Sequence, residues 1–173
     1  MKNLEDLKYP IGKFNPPAEI TAAHIHSWIA DLAILPQEVL TAVNHLSEAD
    51  LATPYRPDGW TVRQVIHHLA DSHINAYTRV RLVLTEENPI IRPYFEDRWA
   101  NLHDAKTGDI MLSIAILKAI HERWVTLLRT LKAADLQRTY FHPEAQQQFT
   151  LAYLVGNYAW HGKHHLAHIK TLK

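Results

Sequence analysis

Apolar residues recur at helical spacing in four segments of this chain, a pattern typical of amphipathic helices that bury one face. The predicted helices span about residues 21–46, 61–87, 109–131 and 151–172. Pro36 either bends the first helix or starts a second piece, because proline lacks the amide proton of a helix interior. Four such helices in one domain predict an all-α fold, a four-helix bundle of the up-down type with one long crossover loop.

The segments between the helices carry turn signals. Residues 1–18, which are rich in proline, are predicted to form an extended N-terminal arm. Residues 44–59 are predicted to form a loop, and residues 89–108 a long irregular connection of a length that is often functional in a compact domain. Residues 139–141 and 148–150 predict a short β-hairpin before the last helix.

Residues 1–173 show no repeat and no Gly/Ser-rich linker, so a single domain is expected. Basic and acidic residues number 18 each, and this zero net charge argues against a nucleic-acid-binding protein. The chain has no cysteine, which excludes disulfides, thiolate metal sites and a cysteine nucleophile. No stretch approaches the roughly 20 apolar residues of a membrane span, and the start has no apolar run. We therefore expect a cytoplasmic protein that binds neither nucleic acid nor membrane.

The chain contains 13 histidines, and the last predicted helix carries a cluster of them. These are His161, His164, His165 and His168, which fall within an arc of about 100°. His165 lies inside the apolar stripe of that helix and His161 at its margin. Two imidazoles four residues apart project from one face one turn apart, which suits chelation of a single metal ion. The alternative is that these are ordinary surface and core histidines of a helix.

A third ligand would have to come from another helix, and the second one offers His67, His68 and His73. His73 lies nearest the apolar stripe, so periodicity ranks it first, although mainly as a hydrogen-bonded core histidine. The helical wheel alone does not choose among the three. The HExxH motif of zinc proteases, the GxSxG motif of serine hydrolases and Gly-rich phosphate loops are all absent from the sequence.

Two segments resemble the metal motifs of a known superfamily. Residues 60–73, Trp-Thr-Val-Arg-Gln-Val-Ile-His-His-Leu-Ala-Asp-Ser-His, and residues 158–168, Tyr-Ala-Trp-His-Gly-Lys-His-His-Leu-Ala-His, are similar to the first and last metal motifs of the DinB/YfiT superfamily. The resemblance is closest to the YfiT branch. It extends in the same order along essentially the whole chain, to residues 9–13, 53–56, 84–87, 91–94, 123–124 and 141–143.

This resemblance implies a four-helix bundle that binds one divalent metal ion through three histidines. In the family, the second-helix ligand is followed by Leu-Ala and stands eight residues after the tryptophan, a position that His68 occupies here. The H-x-x-x-H pair of the family corresponds to His161 and His165. Lys163 stands where close relatives carry another histidine, but that position is not a ligand. The choice of His68 over His73 rests on the resemblance alone.

The resemblance also implies a homodimer and a metal-dependent hydrolase, although some relatives are thiol S-transferases that use low-molecular-weight thiols. Our hypothesis is a mononuclear centre at which metal-bound water attacks a small-molecule substrate. The alternatives are transfer of a low-molecular-weight thiol at the same centre and a non-catalytic bundle that the metal only stabilises. Zinc, one ion per subunit, is the default for imidazole ligands, while nickel, iron and manganese ions also bind such sites.

No general base or other catalytic residue is identified from the sequence. Asp71, Glu96 and Asp97 are candidates for a base, and Arg92 and Tyr94 are candidates for the mouth of the site. For the three acidic residues, solvated surface charge is the simpler interpretation.

Overall fold

The computed structural model describes residues 3–172, and four long helices dominate it. In chain order the elements are α1 (Leu4–Lys8), α2 (Ala22–Val43), α3 (Glu48–Leu51), α4 (Val62–Thr85), α5 (Glu96–Ala100), α6 (His103–Thr107), α7 (Ile110–Leu128), α8 (Ala133–Leu136), β1 (Thr139–His142), β2 (Gln147–Thr150) and α9 (Leu151–Ile169), followed by a 3₁₀ turn at Lys170–Leu172. The long helices α2, α4, α7 and α9 are the four that the apolar periodicity predicts, and the all-α bundle is confirmed.

Side-chain caps set the first residues of the long helices. Thr61 Oγ1 accepts a hydrogen bond from the amide of Gln64 at 3.2 Å, and Gln64 Oε1 accepts one from the amide of Thr61 at 2.9 Å. The other long helices are capped by the side chains of Thr21, Asp109 and Thr150. Because these bonds join residues within one turn, the sequence locates the helix starts well.

The long helices pack in the cyclic order α2, α9, α4, α7. Consecutive helices α2 and α4 therefore lie across a diagonal, and α9 packs between them. The hydrophobic core forms two clusters, one around the fully buried Trp124 and one around Leu69. This arrangement places one face of α9 directly against α4, the two helices that carry the candidate metal ligands.

Three connections contain more helix than the sequence predicts. The N-terminal arm is not extended throughout, since Leu4–Lys8 form α1. The connection 89–108 contains α5 and α6, and residues 44–59 contain α3. Helices α1 and α3 start at capping boxes, Asn3–Asp6 and Ser47–Asp50, and are too short to show apolar periodicity.

Two further expectations can be compared with the fold. Pro36 lies inside α2, which continues as one helix to Val43. The hairpin is confirmed, because β1 pairs with β2 in antiparallel fashion with Tyr140 opposite Phe149. Among residues 3–172, no helix is both long and apolar enough to cross a membrane.

Two glycines allow α2 to approach α9 closely. A Cβ atom at Gly156 would lie 2.7 Å from the ring of Trp28, and one at Gly162 would overlap the side chain of Leu35. Gly162 follows His161 directly in the chain. The close packing at this glycine therefore fixes how deeply the histidine-bearing part of α9 sits in the bundle.

Candidate metal centre

Three histidines from two packed helices converge at one point of the bundle. His68 lies on α4, and His161 and His165 lie one turn apart on α9. One imidazole nitrogen of each lies within 4.8 Å of the others, and the Nε2 atoms of His68 and His161 are 3.3 Å apart. The structure thus brings together the three residues that the sequence motifs indicate.

The spacing and protonation of these imidazoles suit a divalent cation. Ligand bonds of about 2.0–2.1 Å in a tetrahedral site require nitrogens roughly 3.4 Å apart, close to the observed 3.3 Å. Burial lowers the pKa of His68 to about 4, and burial and neighbouring imidazoles hold the pKa values of His161 and His165 well below the usual range. The three side chains are therefore neutral at physiological pH, which is the form that binds metal.

The three histidines line a cavity of about 790 Å³ that opens to solvent. This volume falls in the range of about 300–1,000 Å³ that is usual for small-molecule sites. The other titratable or hydroxyl-bearing residues of its wall are Tyr9, Tyr55, Arg56, Asp58, Ser72, Arg79, Tyr94, Glu96, Asp97, His142, Glu144, Tyr158 and His164. Three histidines beside open space are typical of catalytic metal sites, whereas structural sites are closed by a fourth protein ligand.

The other two candidates on α4 lie outside this group. His67 turns away from the cavity, with Nδ1 2.7 Å from Ser113 Oγ and Nε2 3.3 Å from the carbonyl oxygen of Gly108. His73 is fully buried, and its Nε2 lies 3.2 Å from Nδ1 of His161. His73 is thus the hydrogen-bonded core histidine that its position on the apolar stripe predicts.

The remaining histidines of the α9 cluster form a second group around His165. One nitrogen each of His164, His165 and His168 lies within 4.8 Å of the others. Nδ1 of His168 lies 3.3 Å from Nδ1 of His165, and its Nε2 lies 3.1 Å from the carbonyl oxygen of Lys8. His165 is therefore common to both groups.

The sequence suggested five residues as a base or as the mouth of the site, and only some of them line the cavity. Tyr94, Glu96 and Asp97 line the cavity, whereas Asp71 and Arg92 are absent from the lining that the described residues form. Burial raises the pKa of Asp71 to about 6. Burial also raises the pKa of Tyr94, so its phenol keeps its proton and can donate a hydrogen bond.

Arg79 and Tyr158 line the cavity as a hydrogen-bonded pair, of which Tyr158 begins the second motif and Arg79 lies outside both motifs. Arg79 Nη1 donates to Tyr158 Oη at 2.9 Å, and Nη2 donates to the carbonyl oxygen of Arg92 at 3.2 Å. A signal for Arg79 exists in the sequence, because it stands about three helical turns after His68 and so shares its face of α4.

Comparison with known proteins places this bundle in a family. The family model described as "DinB superfamily" matches residues 31–169. The chain belongs to the DinB superfamily. It is 48% identical over 170 residues to proteins of Bacillus mycoides (strain KBAB4) and Bacillus cereus (strain ATCC 10987 / NRS 248), with 98% of this chain and 97% of each relative covered. Both relatives are named "putative metal-dependent hydrolase".

A solved structure resembles this DinB superfamily member over nearly its full length. YfiT from Bacillus subtilis superimposes with a TM-score of 0.94 at 47% sequence identity, covering 96% of this chain and 95% of YfiT. YfiT is described as "a probable metal-dependent hydrolase with an unusual four-helix bundle topology". The resemblance to the YfiT branch is thereby confirmed, and the diagonal placement of α2 and α4 agrees with an unusual topology.

Proposed function

We propose that this DinB superfamily protein is a metal-dependent hydrolase with one divalent ion held by His68, His161 and His165. The observation that carries the proposal is the convergence of three neutral imidazoles within 4.8 Å of one another in the wall of an open cavity. The printed names of the Bacillus relatives and of YfiT support hydrolysis as the reaction class. Zinc is our proposed ion, because imidazole nitrogens in a tetrahedral arrangement suit it.

A bound divalent ion supplies Lewis acidity and a lowered pKa of water, which makes hydroxide available near neutral pH. The protein's part is to hold the three imidazoles in one place and in their neutral form. Burial keeps the three imidazoles neutral, because it disfavours the imidazolium form of each ligand. The cavity would give a substrate access to an ion held by these three histidines.

The cavity wall contains hydrogen-bond donors that can stabilise the negative charge that develops on the substrate during hydrolysis. Arg79 keeps guanidinium protons beyond the two that bond Tyr158 and Arg92. Tyr158 accepts from Arg79 through its oxygen, so its own proton is available for donation into the cavity. We propose that Arg79 and Tyr158 stabilise an oxyanion of the substrate, with the protonated phenol of Tyr94 as a third donor.

The substrate that fits this site is a small molecule with polar groups of both signs. Arg56 and Arg79 provide positive charge in the cavity wall, and negative charge comes from Asp58, Glu96, Asp97 and Glu144. Of the three carboxylates that the sequence offers as a base, Glu96 and Asp97 line the cavity and Asp71 does not, and Asp58 and Glu144 are further carboxylates of the wall.

The test combines metal analysis with turnover. Purified protein is expected to hold about one metal equivalent per chain, to lose it with a chelator, and to hydrolyse members of an ester, amide and lactam panel only when reloaded. His68→Ala should abolish both binding and turnover. His67→Gln is the matched control, because His67 adjoins His68 but bonds Ser113 and Gly108 away from the cavity.

Each other outcome assigns a different function. Turnover of electrophiles only in the presence of a low-molecular-weight thiol would assign a thiol S-transferase and overturn hydrolysis. Stoichiometric metal that raises the melting temperature without any turnover would assign a structural role. Less than about half an equivalent of metal, with no uptake on titration, would overturn the metal centre itself.

A further inference from the structure

Behind two of the three proposed ligands lie histidines that do not line the cavity of the candidate metal centre. Nδ1 of His161 lies 3.2 Å from Nε2 of His73, and Nδ1 of His73 lies 2.8 Å from Nε2 of His121. Nδ1 of His121 lies 2.6 Å from the carbonyl oxygen of Leu32. We call this series of three imidazoles and one carbonyl the His121 chain. It crosses the bundle from α9 through α4 and α7 to α2.

A shorter series stands behind His165. Nδ1 of His165 lies 3.3 Å from Nδ1 of His168, whose Nε2 lies 3.1 Å from the carbonyl oxygen of Lys8. The ring of Tyr55 stacks on that of His168 with the centroids 4.0 Å apart, which holds the second imidazole in place. We call this series the His168 chain. Both chains end on a main-chain carbonyl.

The carbonyl ends determine where the protons are. A carbonyl oxygen only accepts, so Nδ1 of His121 must carry a proton, and a neutral imidazole has only one. Nε2 of His121 is then an acceptor, which requires a proton on Nδ1 of His73. By the same rule Nε2 of His73 accepts from Nδ1 of His161, which leaves Nε2 of His161 bare.

The His168 chain gives the same result for the second ligand. Nε2 of His168 must donate to the carbonyl of Lys8, so its Nδ1 is an acceptor. Nδ1 of His165 therefore carries the proton of that bond, and Nε2 of His165 is bare. One proton on each imidazole satisfies every hydrogen bond of both chains, so neutral side chains account for the whole arrangement.

We propose that the two chains lock His161 and His165 in the Nδ1-protonated tautomer, so that each presents a bare Nε2 to the metal centre before any ion is present. His73, His121 and His168 are thus positioning residues. The role of these proton positions depends on the proposed metal centre. The positions themselves are a property of the metal-free protein. Imidazole ligands usually need such a partner on the second nitrogen to fix their orientation.

Two consequences follow from these proton positions that would not follow if the histidines only packed against one another. His68 belongs to neither chain, and opposite the bare Nε2 of His161 at 3.3 Å its own Nε2 must be the donor. His68 is then the ligand whose tautomer changes on metal binding. We expect no second metal ion at His164, His165 and His168, because Nδ1 of His165 holds the proton of the His168 chain and its Nε2 faces the first centre.

The direct test is nitrogen NMR of the metal-free, full-length protein with ¹⁵N-labelled histidine. Two-bond proton–nitrogen spectra should show the Nδ1–H form at His73, His121, His161 and His165, and the Nε2–H form at His68 and His168. On metal addition, only His68 should exchange one form for the other. An Nε2–H form at His161 or His165 in the metal-free protein would overturn the proposal.

A variant series adds a thermodynamic readout. His121→Leu removes the acceptor for His73 and should weaken metal binding about 10- to 100-fold in competition titrations. His121→Gln should restore most of the affinity, since its amide can donate to Leu32 and accept from His73. His67→Gln, buried on the same helix outside both chains, should leave the affinity unchanged. Equal affinities for His121→Leu and His121→Gln would overturn the role of the His121 chain.

Failure of this inference and failure of the proposed function give different results. Wild-type protein that binds one metal ion but shows other tautomers refutes the chains and leaves the metal centre standing. Protein that shows the stated tautomers but binds no ion refutes the metal centre. Two metal equivalents per chain would contradict the assignment of His168 as a positioning residue.

Discussion

Acid should destabilise the metal-free protein above the pH at which ordinary carboxylates are protonated, because the interior contains several neutral histidines. The clearest case is His121, which is 1% exposed and bonded to Leu32 and His73. Burial lowers its pKa to about 4 in the folded protein, whereas an unfolded chain has a histidine pKa of about 6.5. A proton therefore binds the unfolded state first as the pH falls.

The sign and size of the effect follow from these two pKa values. The folded pKa is depressed, so the stabilisation is complete above about pH 6.5 and is lost as the pH falls from 6.5 towards 4. For His121 alone, linkage gives a loss of about 2 kcal/mol between pH 7 and pH 5. His73, whose pKa is also lowered by burial, adds to this loss. Asp71 opposes it, because its raised pKa favours the folded state at acid pH.

Urea unfolding in the presence of a chelator, at pH 7.5, 6 and 5, measures the effect. The free energy of unfolding should fall by at least about 2 kcal/mol from pH 7.5 to pH 5. The decrease should be smaller in His121→Gln and unchanged in His26→Gln, whose histidine is exposed on α2. A free energy at pH 5 within about 1 kcal/mol of the value at pH 7.5 would refute the claim that these histidines are buried in neutral form.

Four further predictions concern turnover, packing, metal and assembly. Arg79→Gln should lower kcat/KM about 100-fold with normal metal content, and an unchanged value in steady-state kinetics would remove Arg79 from the oxyanion site. Gly162→Ala should cost about 1–3 kcal/mol in urea unfolding because its Cβ overlaps Leu35, and a more stable variant would contradict this packing. Zinc at 100 times its Kd should raise the unfolding free energy of wild type by about 2.7 kcal/mol and leave His68→Ala unaffected; equal shifts would place the ion elsewhere. Light scattering should give a homodimer of about 40 kDa, twice the 19.9-kDa chain. Leu112→Glu should favour the monomer, because Leu112 is 66% exposed and adjoins the exposed Ile116 on α7. A monomeric wild type would refute the homodimer.

The sequence by itself determined the features that depend on neighbours within one or two turns. The four long helices follow from apolar periodicity, and the start of α4 follows from the reciprocal bonds of Thr61 and Gln64. The pairing of His161 with His165 needs only helical geometry, because residues four apart always share a face. Short helices such as α1 and α5 were not predicted, since a segment of about one turn is too short to show a helical period of apolar residues.

Only the tertiary structure decided what each histidine contacts. The helical wheel ranks His73 above His68, and His73 indeed faces the core, where it bonds His121 and His161. The motif resemblance points to His68, and the packing of α4 against α9 is what brings that side chain to the pair on α9 and to the cavity. Contacts between residues some 90 positions apart, such as His68 with His161, depend on the order in which the helices pack. No local pattern records that order, so the supporting imidazoles of the two chains become visible only in the folded bundle.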